Sequence, residues 1–233
     1  MPDALAIHQR LLEFYGQPEW GKPSSPLEEL IVTVLSQNTN DKNRNRAFQT
    51  LKARFPTWEM VRDANPRAVI DAIRSAGLAN QKGPRIQAIL HAISDQRRQE
   101  NASQDLLDLS FLVKLSPPEV RRWLMQFKGV GPKTAAIVML FSLGMPAFPV
   151  DTHIYRVTGR LGLRPENMRV EQAHAHLEAQ FPTETYVTAH LNLIRLGREI
   201  CHARRPNCLV CPLQDICDYG STHHSSIGIT SNK

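Results

Sequence analysis

All four cysteines of the 233-residue chain lie in one short segment, residues 201–217. A disulfide framework distributes its bridges through a small secreted domain, whereas this chain has no cysteine before Cys201. Four thiolates in one loop can hold tetrahedral zinc or an iron–sulfur cluster, and their chemistry leaves both open. We therefore expect a metal-pinned loop in a reducing compartment. Its ligands are Cys201, Cys208, Cys211 and Cys217.

The hydrophobic periodicity is helical along nearly the whole chain, and no stretch shows the alternation of a strand over five or more residues. Short connections rich in Gly and Pro separate the helical segments, which indicates an all-α protein. Residues 220–233 are rich in Ser, Thr, His and Gly, and we expect them to form a disordered tail. The predicted helices are 4–15, a helix beginning after Ser25, 41–55, 66–75, 83–99, 115–126, 132–143, 151–162, 170–180 and 184–200.

The charge balance favours a polyanionic partner without identifying it. The chain carries 28 Lys and Arg against 22 Asp and Glu, a net charge of +6. No apolar run approaches the roughly 20 residues that span a bilayer, which excludes a transmembrane helix. The first residues lack a basic start followed by an apolar stretch, so we expect no secretory signal.

A Gly-x-Gly turn, Gly129-Val130-Gly131, lies between two predicted helices, with Pro132 at the first position of the second helix. Glycines allow backbone amides at a helix start to approach an anion such as a DNA phosphate. A plain helix–helix turn that uses glycine as a stop signal explains the same pattern. The turn alone therefore does not establish phosphate binding.

Asp151 stands where a helix N-cap is expected, and capping alone would account for an aspartate there. The helix 132–143 is ~16 Å long, and the irregular stretch to Asp151 can extend ~23 Å, so the chain can return to the start of that helix. Lys133 and Asp151 could then face each other as a nucleophile and its electrostatic partner. A structural salt bridge would need the same residues.

The hairpin with Lys133, the segment 150–153 and the cysteine spacing together resemble the endonuclease III family of helix-hairpin-helix DNA glycosylases. The resemblance extends over about residues 5–219. Residues 35–41 resemble the family segment that contacts the gap left by an extruded base. Residues 77–82 resemble the loop whose leucine wedges into the duplex.

The resemblance implies two helical domains with a DNA-binding cleft between them. A six-helix barrel would occupy residues 22–132, with the helix-hairpin-helix near 115–143. A second domain, formed by residues 1–21 and 133–219, would hold a [4Fe–4S] cluster on the four cysteines. The protein is then expected to be cytoplasmic, DNA-associated and monomeric.

The implied activity is base excision repair by a DNA glycosylase that is also an apurinic/apyrimidinic lyase, acting on oxidised pyrimidines in double-stranded DNA. Lys133 would attack the sugar C1′ to form a Schiff base, and β-elimination would cut the strand. Asp151 would stabilise positive charge on the sugar. The alternatives are a monofunctional or mismatch-directed glycosylase for adenine, uracil or thymine, and a non-catalytic helix-hairpin-helix DNA-binding protein.

The resemblance also implies most of the DNA contacts, and the cations of the cysteine loop add two that could bind phosphates or merely be solvated. Two positions depart from the family pattern, since Asn38 stands where Gln is usual and Phe127-Lys128 where Leu-Pro is common. These departures leave the preferred lesion open. The expected DNA-binding residues are Gln37, Asn38, Thr39, Leu78, Lys128, Gly129, Val130, Gly131, Thr152, His153, Arg204 and Arg205.

Overall fold

A computed structural model describes residues 3–101 and 105–224 of the chain. Within these ranges the chain forms α-helices with short 3-10 and π turns, and no strand, which confirms the all-α class. The helices, in chain order, are α1 (Ala4–Tyr15), α2 (Pro26–Ser36), α3 (Asp41–Arg54), α4 (Trp58–Asp63), α5 (Pro66–Ala72), α6 (Ala79–Gln99), α7 (Pro117–Met125), α8 (Pro132–Ile137), α9 (Thr152–Arg160), α10 (Val170–Glu178), α11 (Tyr186–Glu199) and α12 (Asp218–His224).

The chain divides into two compact units. The central unit is Pro23–Met145 and carries α2 to α8. The terminal unit combines Met1–Lys22 with Pro146–Lys233 and carries α1 and α9 to α12. The family resemblance implies a second junction after residue 132. In the structure α8 packs against α2 and α7 and buries Ala135 and Ala136, so the central unit continues to Met145.

Several helix starts follow directly from local capping chemistry. The Ser25 hydroxyl accepts a hydrogen bond from the Glu28 amide at 3.3 Å, with Pro26 at the first helical position of α2. The Asn40 side chain accepts from the Asn43 amide at 2.9 Å and starts α3. These caps satisfy amide groups that have no partner within the helix.

Helix α2 forms the middle of the central unit, where it packs against α3, α6 and α8. Leu30, Ile31, Val34 and Leu35 on this helix have no solvent exposure. Each such side chain contributes about 1.5–3 kcal/mol of hydrophobic stabilisation. The C-terminal end of α2 is therefore firmly placed, and with it the start of the segment 37–40.

The terminal unit is built around α11, which packs against α9 and α1. The buried Ile7 and Leu11 of α1 and Leu193 and Leu196 of α11 contribute to this core. The Asn192 side chain donates to the carbonyl of Gly16 at 3.3 Å, at the end of α1. The N-terminal helix is therefore part of the unit that carries the cysteines.

Among the predicted boundaries, the start of α6 and the start of the tail are wrong. Helix α6 begins at Ala79 and not near residue 83, because the chain turns at Leu78 and enters the helix at once. The predicted disordered tail also begins too early, since Asp218–His224 forms α12. This helix packs against α9, with the Tyr219 ring 4.5 Å from the Arg160 guanidinium. Residues 225–233 of that predicted tail lie outside the described residues.

Candidate functional site

The hairpin between α7 and α8 has the form that the glycine pattern predicts. The Val130 amide donates to the Phe127 carbonyl at 3.0 Å, which closes the turn. Gly129 has a φ of +92°, and a Cβ there would lie 2.5 Å from Cδ of Arg85. The backbone conformation therefore favours glycine, and the Arg85 side chain lies in the space beside it. Pro132 then begins α8, whose first-turn amides lack intrahelical partners.

Lys133 lies in the first turn of α8 and is half-buried. The next three residues are buried in the central unit, so the backbone that carries Lys133 is fixed by packing. A short π turn, Val138–Ser142, continues the helix. Its Ser142 hydroxyl donates to the Ser24 carbonyl at 2.6 Å. The lysine thus projects from an anchored element that directly follows the hairpin.

Asp151 is the N-cap of α9, as predicted. Its Oδ1 accepts a hydrogen bond from the Ile154 amide at 2.8 Å. The preceding residues are held by backbone contacts, since the Phe148 amide donates to Glu178 at 3.0 Å and the Pro149 carbonyl lies 3.0 Å from His190 Nδ1. Phe148 is fully buried. The carboxylate is therefore held in one orientation, with Oδ2 left for other interactions.

Lys133 belongs to the central unit and Asp151 to the terminal unit. Of the two residues after Asp151, Thr152 is exposed. His153 is half-buried against α11, where a Cβ at Gly197 would lie 2.8 Å from the Cβ of His153. Its Nδ1 lies 3.2 Å from a guanidinium nitrogen of Arg156. The His153 ring therefore contacts the terminal unit itself.

The segment that connects α2 to α3 carries Gln37, Asn38 and Thr39. Asn38 is exposed and has a φ of +52°, in the left-handed region that Asn tolerates better than most residues. Gln37 is half-buried, and its Oε1 accepts a hydrogen bond from Nη1 of Arg85 at 2.8 Å. The exposed tip of this segment is therefore Asn38, with Gln37 held behind it.

Leu78 is an exposed leucine in a backbone conformation that leucine rarely adopts. Its φ is +48° and it is 47% exposed. It follows the 3-10 turn Arg74–Ala76 and Gly77, and it directly precedes α6. An apolar side chain held outward at a strained position agrees with a role in contacting another molecule.

The four cysteines line one small cavity in the terminal unit, which is partly open to solvent. In the described parts of the chain, no group of three or more His, Cys, Asp or Glu side chains is arranged to hold a single metal ion. The four cysteines all belong to the lining of this cavity. The other residues that line it are Arg160, Ile200, Pro206, Gln214, Tyr219 and Gly220.

Burial disfavours thiolates at this cavity when no metal charge is present. It raises the pKa of the Cys211 thiol to about 11, and it also raises the pKa of Cys208 and of Cys217. Arg160 offers a compensating positive charge, because its Nη1 lies 3.2 Å from Sγ of Cys201. Thiols with these pKa values need a bound metal to remain deprotonated at neutral pH.

Arg160 also holds the loop that leads from Cys201 to Cys208. Its guanidinium donates to the carbonyls of His202 at 2.7 Å and Ala203 at 3.0 Å. Beyond these carbonyls, Arg204 and Arg205 are both exposed, and Arg205 has a φ of +51°. The two arginines therefore project from a loop whose base is hydrogen-bonded to α9.

Sequence reasoning missed two residues of α6, Lys82 and Arg85. Lys82 falls inside the segment 77–82 that resembles the wedge loop, but the structure places it in a helix and buries it. Arg85 contacts both Gln37 and the hairpin. No local pattern signals these contacts, because their partners are distant in the sequence.

In the described part of the chain, no helix has the length and apolar character needed to cross a membrane.

Two family models match the chain. Residues 31–183 match the HhH-GPD superfamily base excision DNA repair protein, and residues 201–217 match the iron-sulfur binding domain of endonuclease III. The first match covers more than half of the chain. The second coincides with the four cysteines, so the cavity that they line belongs to an iron–sulfur binding domain.

Similar proteins agree with both matches. An Arabidopsis thaliana relative is 39% identical over 183 residues; the match covers 78% of this chain and 60% of that relative. Endonuclease III of Sulfolobus acidocaldarius is 32% identical over 209 residues, which is 89% of this chain and 88% of that protein. A solved structure of a trapped endonuclease III–DNA covalent intermediate is 27% identical, with a TM-score of 0.79 over 96% of this chain and all of that one.

The helix-hairpin-helix, the four-cysteine cavity and the match along nearly the whole chain lead to one assignment. The chain belongs to the endonuclease III family, within the HhH-GPD superfamily of base excision DNA repair proteins.

Proposed function

We propose that the protein is a DNA glycosylase with apurinic/apyrimidinic lyase activity, acting on oxidised pyrimidines in double-stranded DNA. The observation that carries this proposal is Lys133 in the first turn of α8, directly after the Gly129-Val130-Gly131 turn. A hairpin that binds the phosphate backbone would place this amine beside the sugar of the bound nucleotide. The match to the HhH-GPD superfamily of base excision DNA repair proteins supports the glycosylase class. The proposed lyase step depends on Lys133.

In the proposed reaction, the neutral amine of Lys133 attacks C1′ and the damaged base leaves with the electrons of the glycosidic bond. The attacking nitrogen loses a proton, the C1′–O4′ bond breaks and O4′ takes up a proton, which gives a protonated Schiff base between Lys133 and the opened sugar. Removal of a proton from C2′ then expels the 3′ phosphate by β-elimination. Asp151 stabilises positive charge on the sugar, and its hydrogen bond to the Ile154 amide keeps the carboxylate oriented.

The DNA contacts in this proposal are of two kinds: contacts to phosphates, and contacts at the extruded base and its unpaired partner. The amides of the hairpin, the Lys128 side chain, Arg204 and Arg205 bind phosphates, which gives affinity without sequence preference. Thr152 and His153 lie beside Asp151 at the start of α9. Leu78 fills the stack that an extruded base vacates. Asn38, with Gln37 and Thr39 beside it, lies against the unpaired partner base.

We assign a [4Fe–4S] cluster to the four cysteines. Four thiols that line one cavity supply the donor set that such a cluster uses, and their segment matches the iron-sulfur binding domain of endonuclease III. When bound, the cluster would supply a covalent anchor for the segment 201–217. Arg204 and Arg205 depend on that anchor for their position. The protein is expected to act as a monomer on damaged or abasic duplexes.

A panel of lesion-bearing duplexes tests the proposed activity. The panel contains an oxidised pyrimidine, uracil, a mismatched thymine, a mismatched adenine and an abasic site. We expect base release together with strand cutting on the oxidised pyrimidine, and cutting of the abasic site, because both steps use Lys133. Base release without cutting on uracil, thymine or adenine would indicate the monofunctional alternative. Binding without either reaction would indicate a non-catalytic module.

Asp151 has a capping role and a proposed chemical role, which two substitutions separate. Asp151→Ala removes the hydrogen bond to the Ile154 amide and should lower the free energy of unfolding by about 1 kcal/mol. Asp151→Asn keeps an oxygen acceptor and should retain nearly all of that stability. Both variants lose the carboxylate charge, so single-turnover base release should fall by on the order of 10²-fold in each.

Ser25→Ala is the matched control for Asp151. It removes the N-cap of α2, where the hydroxyl accepts from the Glu28 amide at 3.3 Å, and it changes no charge. We expect a similar loss of stability with a wild-type rate of base release. An Asp151→Asn variant that releases base at the wild-type rate would show that the residue is only a helix cap.

A further inference from the structure

Lys82 is among the largest fully buried side chains in the described residues, with 1% exposure. Its ammonium group donates to the carbonyl of Leu35 at 2.7 Å and to the carbonyl of Ala76 at 2.8 Å. Burial, with a smaller contribution from Arg85, lowers the pKa of this lysine. A lysine with a lowered pKa is often a nucleophile. Here burial and two hydrogen bonds exclude contact with a sugar, so Lys82 has another role.

The two carbonyls mark the ends of two helical segments in the central unit. Leu35 is in the last turn of α2, and Ala76 ends the 3-10 turn before Leu78. Carbonyls at helix ends lack intrahelical partners and carry partial negative charge, so a lysine ammonium stabilises them. Lys82 therefore joins the two segments at the points where each one leads to an exposed tip. The tips are Asn38 and Leu78, both with positive φ.

Arg85 lies nearly one turn further along α6 and contacts a third segment. Its Nη1 donates to Oε1 of Gln37 at 2.8 Å. Its Cδ and Nε occupy the space beside Gly129, within 2.6 Å of where a Cβ would stand. One side chain thus connects the segment that carries Asn38 to the hairpin turn before Lys133.

We propose that Lys82 and Arg85, named here the α6 clamp, are positioning residues that hold the Asn38 tip, the Leu78 tip and the hairpin in one fixed arrangement. The proposal rests on the proposed function, because that function makes the three segments DNA contacts. The clamp keeps Asn38 and Leu78 in their strained conformations before DNA arrives. A preformed arrangement lowers the ordering cost of binding, so the clamp favours lesion DNA over intact duplex.

The first test needs no DNA. Lys82→Met keeps the length and apolar stem of the side chain and removes its donors. Hydrogen exchange of the intact chain should then show faster exchange in residues 36–40 and 76–79 together. Gln87→Met is the matched control on the same helix, because the Gln87 amide donates to the carbonyls of Val61 and Ala64 at 3.0 and 2.8 Å. It should speed exchange near α4 and leave both tips unchanged.

The second test measures recognition. Wild-type, Lys82→Met and Gln87→Met proteins are titrated with a duplex that carries a stable abasic-site analogue, and with the intact duplex. Lys82→Met should reduce the preference for the abasic duplex by about ten-fold or more, and Gln87→Met should leave it within about two-fold. A 2-aminopurine opposite the site should lose its fluorescence change only in the Lys82 variant. Equal loss of preference in both variants would make Lys82 a general stability residue and overturn the proposal.

Arg85→Met provides a variant that should fold even if Lys82→Met does not, because Arg85 is half-buried. It should speed exchange in residues 36–40 and 127–131 and reduce the same binding preference. Wild-type protein without any preference for the abasic duplex would contradict the proposed function. A wild-type preference that both clamp variants retain would contradict the clamp alone.

Discussion

We expect Lys133→Gln to abolish the covalent complex that borohydride should form between the wild-type chain and an abasic-site duplex. An amide cannot form a Schiff base, so both trapping and strand cutting should fall by on the order of 10³-fold or more. The substitution leaves Gly129 and the buried residues of α8 in place. Binding to the abasic duplex should therefore persist, at an affinity reduced only by the loss of one positive charge. Trapping is measured by gel shift under denaturing conditions, and binding by anisotropy.

Lys114→Gln is the control for this experiment. Lys114 is an exposed lysine at the end of the 3-10 turn Ser110–Lys114 in the same unit, and its substitution makes the same change of charge. Its trapping yield should match that of the wild type. A Lys133→Gln variant that still forms the trapped complex would show that a different amine is the nucleophile.

We expect Cys211→Ser to prevent binding of the proposed iron–sulfur cluster and, with it, to weaken the proposed DNA contact of the cysteine loop. Cys211 is half-buried at the cavity, and a serine oxygen is a poor ligand for iron. Purified wild-type protein should be yellow-brown and contain about four irons per chain. The variant should lose most of its iron and visible absorbance, and melt at a lower temperature. Its DNA affinity should also fall, because Arg204 and Arg205 lose their fixed loop.

Leu209→Ser tests whether any polar change in this loop has the same effect. Leu209 is 74% exposed and lies between two of the cysteines, but it does not line the cavity. Its iron content and colour should equal those of the wild type. Stoichiometric zinc in a colourless wild-type protein would contradict the cluster assignment and would leave the loop-anchoring role of the cysteines intact.

The parts of the fold that the sequence predicts are those controlled by local chemistry. Ser25, Asp151 and the proline that opens α8 set helix starts through hydrogen bonds or a fixed φ within three residues. Helix α4 is not predicted from the sequence, because six residues are too few to show a helical periodicity, although Thr57 caps the helix. Helix α12 is not predicted either, because its composition is polar and its packing partner, α9, is far away in the sequence.

The candidate site divides in a similar way. The cysteine spacing and the Gly-x-Gly turn are contiguous patterns, so they are visible without a structure. The α6 clamp is not, because Lys82 contacts a carbonyl 47 residues away. A lysine in a sequence is ordinarily assigned to the surface, since burial of an unpaired charge is costly. Only the three-dimensional arrangement shows the two carbonyls that satisfy it.

The hydrogen bond from Ser142 to the Ser24 carbonyl joins the two ends of the central unit, at 2.6 Å between residues 118 positions apart. The central unit is therefore an insertion with adjacent ends, placed between two parts of the terminal unit. During synthesis the inserted unit is complete before most of its host has left the ribosome. The N-terminal helix α1 can pack against α11 only after α11 has been synthesised. This contact closes a long loop, and the folded central unit reduces the entropic cost of closing it. The order of the segments along the sequence therefore favours folding of the central unit before the terminal unit.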